Sequence, residues 1–221
     1  RISRVAGLSR RNARTKHRRF LVEGPQGVRE AVRHAPGRVL DVYLTEAALE
    51  RHSDIWNEAV AAGLYVHITT QQVMDAMSPD AQGLLAVVAT EEATGSEALA
   101  SALEGARLVA VLTQAQDPGN AGTIIRAADA AGADAVVLVR GSVDPTAPKV
   151  VRSTAGSLFH LPVVTGVALD DAVTALHNAG LTVLAADGRG DFDLFEAESL
   201  LEAPSAWLLG NEAHGLPSEA L

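Results

Sequence analysis

Three short stretches place reactive side-chain types where apolar runs end. In LLGNEAHGLP (208–217) the run Trp207, Leu208, Leu209 stops at Gly210, and Asn211, Glu212 and His214 follow before Gly215 and Pro217. Glycines let main-chain N–H and C=O groups approach a ligand closely, so main-chain groups of this stretch could hold an adenine or a ribose. The same residues would also serve as a solvent turn with Glu212 in water. In TQAQDPGNAGTIIRAADAAGA (113–133) a Pro-Gly turn delivers Asn120 at the mouth of a helix, with Arg126 further along it. Asn120 equally suits a helix cap, and Arg126 an i,i+3 pair with Asp129. In DPTAPKVVRSTAGSLFHLP (144–162), Lys149 and Arg152 stand three apart beside Ser153 and Thr154. Cationic side chains and free helix N–H groups at such a start suit a phosphate; two solvated surface cations are the plainer alternative. Arg126, Arg140, Lys149 and Arg152 also fall close together, although only ten basic residues follow Phe20.

The elements that would position these stretches come from hydrophobic periodicity. FLVEG (20–24), RVLDVYLT (38–45), LYVHIT (64–69) and LLAVVAT (84–90) read as strands, with helices after Gly24, over 47–63 and over Gln71 to Met77. Thr70 is a candidate cap for the last of these. This is a small α/β domain over 21–90, preceded by a basic arm over 1–20. TEEATGSEALASALEGA (90–106) reads as a linker with a helical turn or more, so that a second domain spans 107–221. There RLVAVLTQ (107–114), ADAVVLV (133–139), HLPVV (160–164), LTVLAAD (181–187) and AWLLG (206–210) read as strands. Helices over 122–131 and 170–180 alternate with them, the second with a glycine just past its end. Such alternation implies an α/β fold on a mainly parallel sheet. Ligands of such sheets bind at the carboxyl ends of strands, which favours 114–120, 186–190 and 210–215.

Composition narrows the chemistry. The net charge is −9, yet eight of the 18 basic residues precede Phe20 and no acid precedes Glu23. The first 20 residues therefore carry +8 and the remainder −17. A basic arm on an acidic body implies a local footprint for a polyanion, drawn from Arg10, Arg11, Arg14, Lys16, Arg18 and Arg19, with Lys149 beyond the arm; a solvated, partly disordered terminus has the same composition. There is no cysteine, which excludes disulfides and thiolate chemistry. The only lysines are Lys16 and Lys149 and no P-loop pattern occurs, which excludes a P-loop NTPase. The seven histidines lack the spacing of a metal motif, so no metal is expected. No apolar run reaches the ~18–20 residues of a membrane span, and the basic start lacks a secretory core, so a cytoplasmic protein is expected.

Taken together, the stretches resemble the SpoU (TrmH-type) branch of the SPOUT RNA methyltransferases. QDPGNAGTIIRAADAAGADAVVL (116–138) resembles that family's first motif, LLGNEAHGLP its second, and DPTAPKVVRSTAGSLFHLPV (144–163) the segment between them. RRFLVEGPQGVREAV (18–32) and SPDAQGLLAVV (78–88) resemble its N-terminal substrate-binding domain, which is similar to an L30e-type fold. The resemblance implies 2′-O-methylation of a ribose in RNA with S-adenosylmethionine as donor. It implies catalytic roles for Asn120, Arg126, Arg152 and Glu212. It places the cofactor against Leu209, Gly210, Asn211 and Gly215, with Ala186, Asp187 and Gly188 at a bordering strand end. An α/β fold with a trefoil-knotted catalytic domain and a homodimer are implied too. The family's third motif, an Ile-Pro-Met stretch that completes the knot and closes the pocket, is expected after Gly215; the chain stops at Leu221 without it. Ribosomal RNA is the expected substrate by analogy, with tRNA the alternative. A non-catalytic RNA-binding protein that kept the fold is the rival from another class, and a nicotinamide-dependent enzyme, lacking a glycine fingerprint, comes last.

Overall fold

The computed structural model describes residues 1–91, 93–188, 190, 193, 202–211, 215 and 216. The chain forms two compact units. One contains Arg1–Glu91 with Asp144–His160, the other Glu92–Val143 with Leu161–Leu221.

In the first unit, apolar residues on both faces of a sheet pack into two cores. Its sheet has the order β1 (Arg19–Glu23), β4 (Leu84–Ala89), β2 (Val39–Thr45), β3 (Val66–Thr69), with β4 antiparallel to both neighbours and β2 parallel to β3. Side chains alternate across a strand. Phe20, Val22, Leu84, Ala86 and Val88 therefore enter one core with Val28 and Ala31 of α3 (Pro25–His34) and Ile55 of α5 (Ser53–Ala61). Leu21, Leu85 and Val87 enter another with Met74 and Met77 of α6 (Gln71–Met77). Thr70 caps α6 as expected, accepting from the N–H of Val73 at 3.3 Å. The helix expected over 47–63 is two helices, α4 (Glu46–Arg51) and α5, because the chain leaves helical geometry at His52.

Two expectations for this unit change. The basic arm is not a loose terminus: α1 (Ile2–Gly7) and α2 (Arg11–His17) form there, and Val5 and Leu8 bury themselves in the second core. The segment 144–160 also belongs to this unit, although the sequence reading assigned it to the second domain. Val151 of α9 (Pro148–Ser153) joins the first core with Leu158 and Phe159, and Phe159 stacks on Phe20 at 6.4 Å.

The second unit is a five-stranded parallel sheet in the order β7 (Val163–Thr165), β6 (Ala135–Leu138), β5 (Leu108–Leu112), β9 (Ser205–Leu209), β8 (Thr182–Ala186). α8 (Pro118–Ala130) and α10 (Leu169–Asn178) alternate with the strands, as the periodicity requires. Within the stretch read as a linker, α7 (Gly95–Leu103) forms, and Leu99 and Leu103 enter the core beside Val137 and Leu176. The chain steps outward from β5 to β6 and β7, then returns from the other edge through β8 to β9. The loops after β5 and β9 thus leave neighbouring strands at the point where the strand order reverses. Parallel sheets bind ligands at such a point.

Candidate active site

The register of the second sheet aligns three strand ends. Leu112 pairs with Leu209, and Leu209 with Ala186. The segments 113–117, 187–188 and 210–211 consequently leave one edge of the sheet side by side. Thr113, fully buried, donates to the carbonyl of Leu209 through its N–H (2.9 Å) and its hydroxyl (3.1 Å), which ties the first segment to the third. The loop after β6 braces the first segment from the other side: the Val143 N–H donates to the carbonyl of Ala115 at 2.8 Å, and the Gln116 amide to that of Gly141 at 2.8 Å.

Beyond β9 the chain is pinched. Asn211 donates its N–H to the carbonyl of Gly215 at 2.9 Å, and the N–H of Gly215 returns to that of Asn211 at 2.6 Å. The Asn211 side chain also reaches the carbonyl of Gln114 at 3.4 Å. A Cβ on Gly210 would lie 2.5 Å from the carbonyl carbon of Gly215 and 2.6 Å from its oxygen, so only glycine permits the fold-back. Gly215 itself needs its positive φ of 69°. The result is a strand end over which the main chain of Asn211 and Gly215 closes on itself. Leu209, Gly210, Asn211 and Gly215 come together here as the sequence suggested, with Ala186, Asp187 and Gly188 at the adjoining strand end. Glu212 lies outside the described residues.

Asn120 and Arg126 both lie on α8, but they are not partners. The helix begins at Pro118, and its cap is Asp117, whose carboxylate accepts from the N–H of Asn120 at 2.9 Å. Capping is therefore not the task of the Asn120 side chain. Arg126 lies six positions beyond Asn120 on the helix, a rise of about 9 Å and a rotation of about 120° between them. Arg126 is exposed, and among the described residues no hydrogen bond or ion pair engages its guanidinium.

Lys149 and Arg152 belong to the first unit. Lys149 is exposed; Arg152 sits in the last turn of α9, away from the helix start at which the phosphate reading placed it. Its guanidinium pairs with the buried carboxylate of Glu23, which also accepts from the Ser78 hydroxyl, and with Asp80 at 3.0 Å. Removing one partner of a buried pair strands the other charge. Arg152→Met should destabilise the first unit by about 2–3 kcal/mol, allowing for the partial exposure of the arginine. Chemical denaturation checks this, and an unchanged midpoint would free Arg152 for a role other than anchoring α9 to β1.

Among the arm cations, Arg14 departs most from expectation. It is only 5% exposed. It donates to Asp144 at 2.6 Å, to Thr146 at 3.3 Å, and to the carbonyls of Leu8 and Ser9 at 3.2 and 2.9 Å. That set of acceptors holds α2 against the 144–160 segment and removes Arg14 from any RNA surface. Burial pushes the Asp144 carboxyl up, but hydrogen bonds from Thr146 and Arg14 outweigh it, and its pKa falls below the ordinary carboxylate value. A depressed folded pKa gives stability that is complete above the unfolded value, about 3.9, and lost as pH falls through the folded one. The melting-temperature gap between the parent and Asp144→Asn should thus be widest near pH 7 and close as pH falls below about 4. A gap independent of pH would contradict the ion pair.

Arg10, Arg11, Lys16, Arg18 and Arg19 are exposed. Two further side chains that the sequence reading did not single out, Arg4 and His17, line a cavity of about 430 Å³ with Arg19, Asp41 and Tyr43. Their signal was the helical spacing of Arg1, Arg4, Val5 and Leu8, which the even spread of arginines concealed.

Comparison with known proteins agrees with this geometry. Residues 107–221 match the model of the SpoU rRNA methylase family, and residues 1–86 that of the MRM3-like substrate-binding domain. The 23S rRNA (guanosine(2553)-2′-O)-methyltransferase RlmP of Bacillus subtilis is 34% identical over 97% of this chain and 80% of its own length. The 23S rRNA (uridine(2479)-2′-O)-methyltransferase of Streptomyces viridochromogenes is 33% identical over 95% of this chain and 73% of its own. The crystal structure of the SpoU methyltransferase AviRb from Streptomyces viridochromogenes in complex with AdoMet superposes with a TM-score of 0.79 at 28% identity, over 99% of this chain and 83% of that one. With its parallel sheet, its glycine-pinched strand end and this agreement over both units, the chain belongs to the SpoU rRNA methylase family.

Proposed function

We propose that the protein transfers a methyl group from S-adenosylmethionine to the 2′-oxygen of a ribose in ribosomal RNA. The pinched strand end at Gly210–Gly215 carries this reading, beside relatives whose names specify 23S rRNA 2′-O-methylation. The residues fit such a donor: Leu209, Gly210, Asn211 and Gly215 offer main-chain donors and acceptors at a strand end where a Cβ at residue 210 finds no room. Ala186, Asp187 and Gly188 stand at the next strand end. When bound, S-adenosylmethionine supplies a methyl group on a sulfonium, and transfer needs the 2′-oxygen in line with it.

The protein's task is to position and acidify the 2′-hydroxyl. Arg126 carries that role. A guanidinium stays protonated in proteins and cannot act as a base. Its charge and fork of donors instead hold the phosphate beside the target ribose and lower the pKa of the hydroxyl, whose proton leaves to phosphate or water. Asn120, in the first turn of α8, and Glu212 support Arg126 in this role. Arg152, committed to Glu23 and Asp80, acts as an anchor of α9 rather than as a phosphate ligand. Arg10, Arg11, Lys16, Arg18 and Arg19, joined by Arg4, supply the sequence-independent phosphate contacts of the first unit, and Lys149 adds another. The same reading takes the enzyme as a cytoplasmic homodimer with a SPOUT-type catalytic domain. Identification of the nucleoside methylated in 23S rRNA tests it: a ribose-methylated product supports the reading, and a base-methylated one refutes it.

A further inference from the structure

We infer that Glu30, His34 and His160 form a three-residue site for a zinc ion in the first unit, apart from the machinery of methyl transfer. Glu30 and His34 stand four apart at the end of α3, where such residues share a helix face. His160 arrives from 126 positions further along the chain, which is why histidine spacing gave no hint of the site. Nε2 of His160 lies 3.0 Å from Oε2 of Glu30, and Nε2 of His34 lies 3.3 Å from the same oxygen. One ligand atom from each residue falls within 4.8 Å of the others. Zinc–nitrogen and zinc–oxygen bonds of about 2.0–2.2 Å place the donors of a tetrahedral site roughly 3.3 Å apart. The observed separations from the carboxylate already match that spacing.

The surroundings hold the donors in place. The second carboxylate oxygen of Glu30 accepts from the Gln26 amide at 3.3 Å, the outer hydrogen bond that typically orients a metal-binding carboxylate. Gly156 makes room for Glu30: a Cβ there would lie 2.6 Å from the Cβ of Glu30, and its φ of 103° already favours glycine. The turn that presents His160 is pinned by the Phe159–Phe20 stack, and the rings of His34 and His160 meet edge to face at 4.5 Å. Two imidazoles and one carboxylate select zinc over magnesium or calcium, which prefer all-oxygen sets. Binding needs an unprotonated Nε2 on each ring, so any proton there moves to Nδ1 or to solvent, with no change of oxidation state. The ion would join the end of α3 to the end of the 144–160 segment, which Arg14 secures at its start and Arg152 at its middle.

The test is a titration of the chelator-treated full chain with zinc chloride, followed by calorimetry and by thermal unfolding. One equivalent should bind and raise the melting temperature, and cobalt(II) in its place should give the visible absorption of a tetrahedral site. Magnesium should do neither. His160→Gln, and separately Glu30→Gln, which keeps the packing against Gly156, should each weaken zinc by about tenfold or more while His67→Gln binds as the parent does. Absence of zinc binding in the parent would overturn the inference. So would one-to-one binding that persists unchanged in both variants, and the latter would leave the trio as carboxylate–histidine hydrogen bonds alone.

Discussion

Arg126→Ala is expected to lower methyl transfer to RNA by about 100- to 1,000-fold, the scale seen when one donor to a developing charge is removed. Binding of S-adenosylmethionine should stay within about twofold of the parent, and the loss should fall mainly on the maximal rate, with a smaller rise in the RNA concentration at half-maximal rate for the lost phosphate contact. The fold should be indifferent to the change. Arg126 is exposed on α8, and no hydrogen bond or ion pair among the described residues depends on it. Arg126→Lys separates charge from geometry. It keeps a cation but loses the planar fork that grips a phosphate with two hydrogen bonds, and it should recover only part of the rate. Single-turnover kinetics with labelled cofactor measure both variants. Full activity in Arg126→Ala would remove Arg126 from the mechanism and return the question to the loop after β9.

Gly210→Ala is expected to abolish cofactor binding by a different route. The added methyl would meet the carbonyl carbon and oxygen of Gly215 and the N–H of Leu216, at 2.5 to 2.6 Å. These are main-chain atoms, and no rotamer can move them aside. Relief requires opening the Asn211–Gly215 pair, whose two hydrogen bonds hold the fold-back shut. A cost of about 1–3 kcal/mol in stability follows from overpacking of this kind. The larger effect falls on binding, since the displaced main chain is what the cofactor would meet. Calorimetric titration with S-adenosylmethionine should show no saturation at concentrations that saturate the parent. Retained affinity would mean that the pinch is structural only.

How much of this could be read before the fold was known depended on the range of the interactions. Strands such as 84–89 and helices such as 169–178 are encoded by local alternation, by 3.6-residue periodicity and by terminal glycines, and they appear within a residue or two of expectation. The stretch 90–106 was half legible: its Glu, Ala, Ser and Gly content suggests a linker with a helical turn, while the packing of that helix depends on only two large apolar residues, Leu99 and Leu103, four apart. The arm misled because eight cations outweighed Val5 and Leu8, whose burial needs a sheet face supplied by Leu21 and Leu85. Partners distant in sequence left no trace at all. Nothing near Arg152 announces Glu23, 129 positions earlier, so a structural cation resembled a phosphate ligand. The strand-end pinch was legible because it is local: glycine, asparagine and glycine fall within six residues.

The central claim is chemical, and one measurement meets it directly. The full chain is incubated with 23S rRNA lacking ribose methylation and with S-adenosylmethionine labelled in its methyl group, and the RNA is then digested to nucleosides and resolved by mass spectrometry. The account predicts label in a single 2′-O-methylnucleoside at one position, lost in Arg126→Ala. Label in a methylated base, or none at all from a protein that binds both the RNA and the cofactor, would contradict it.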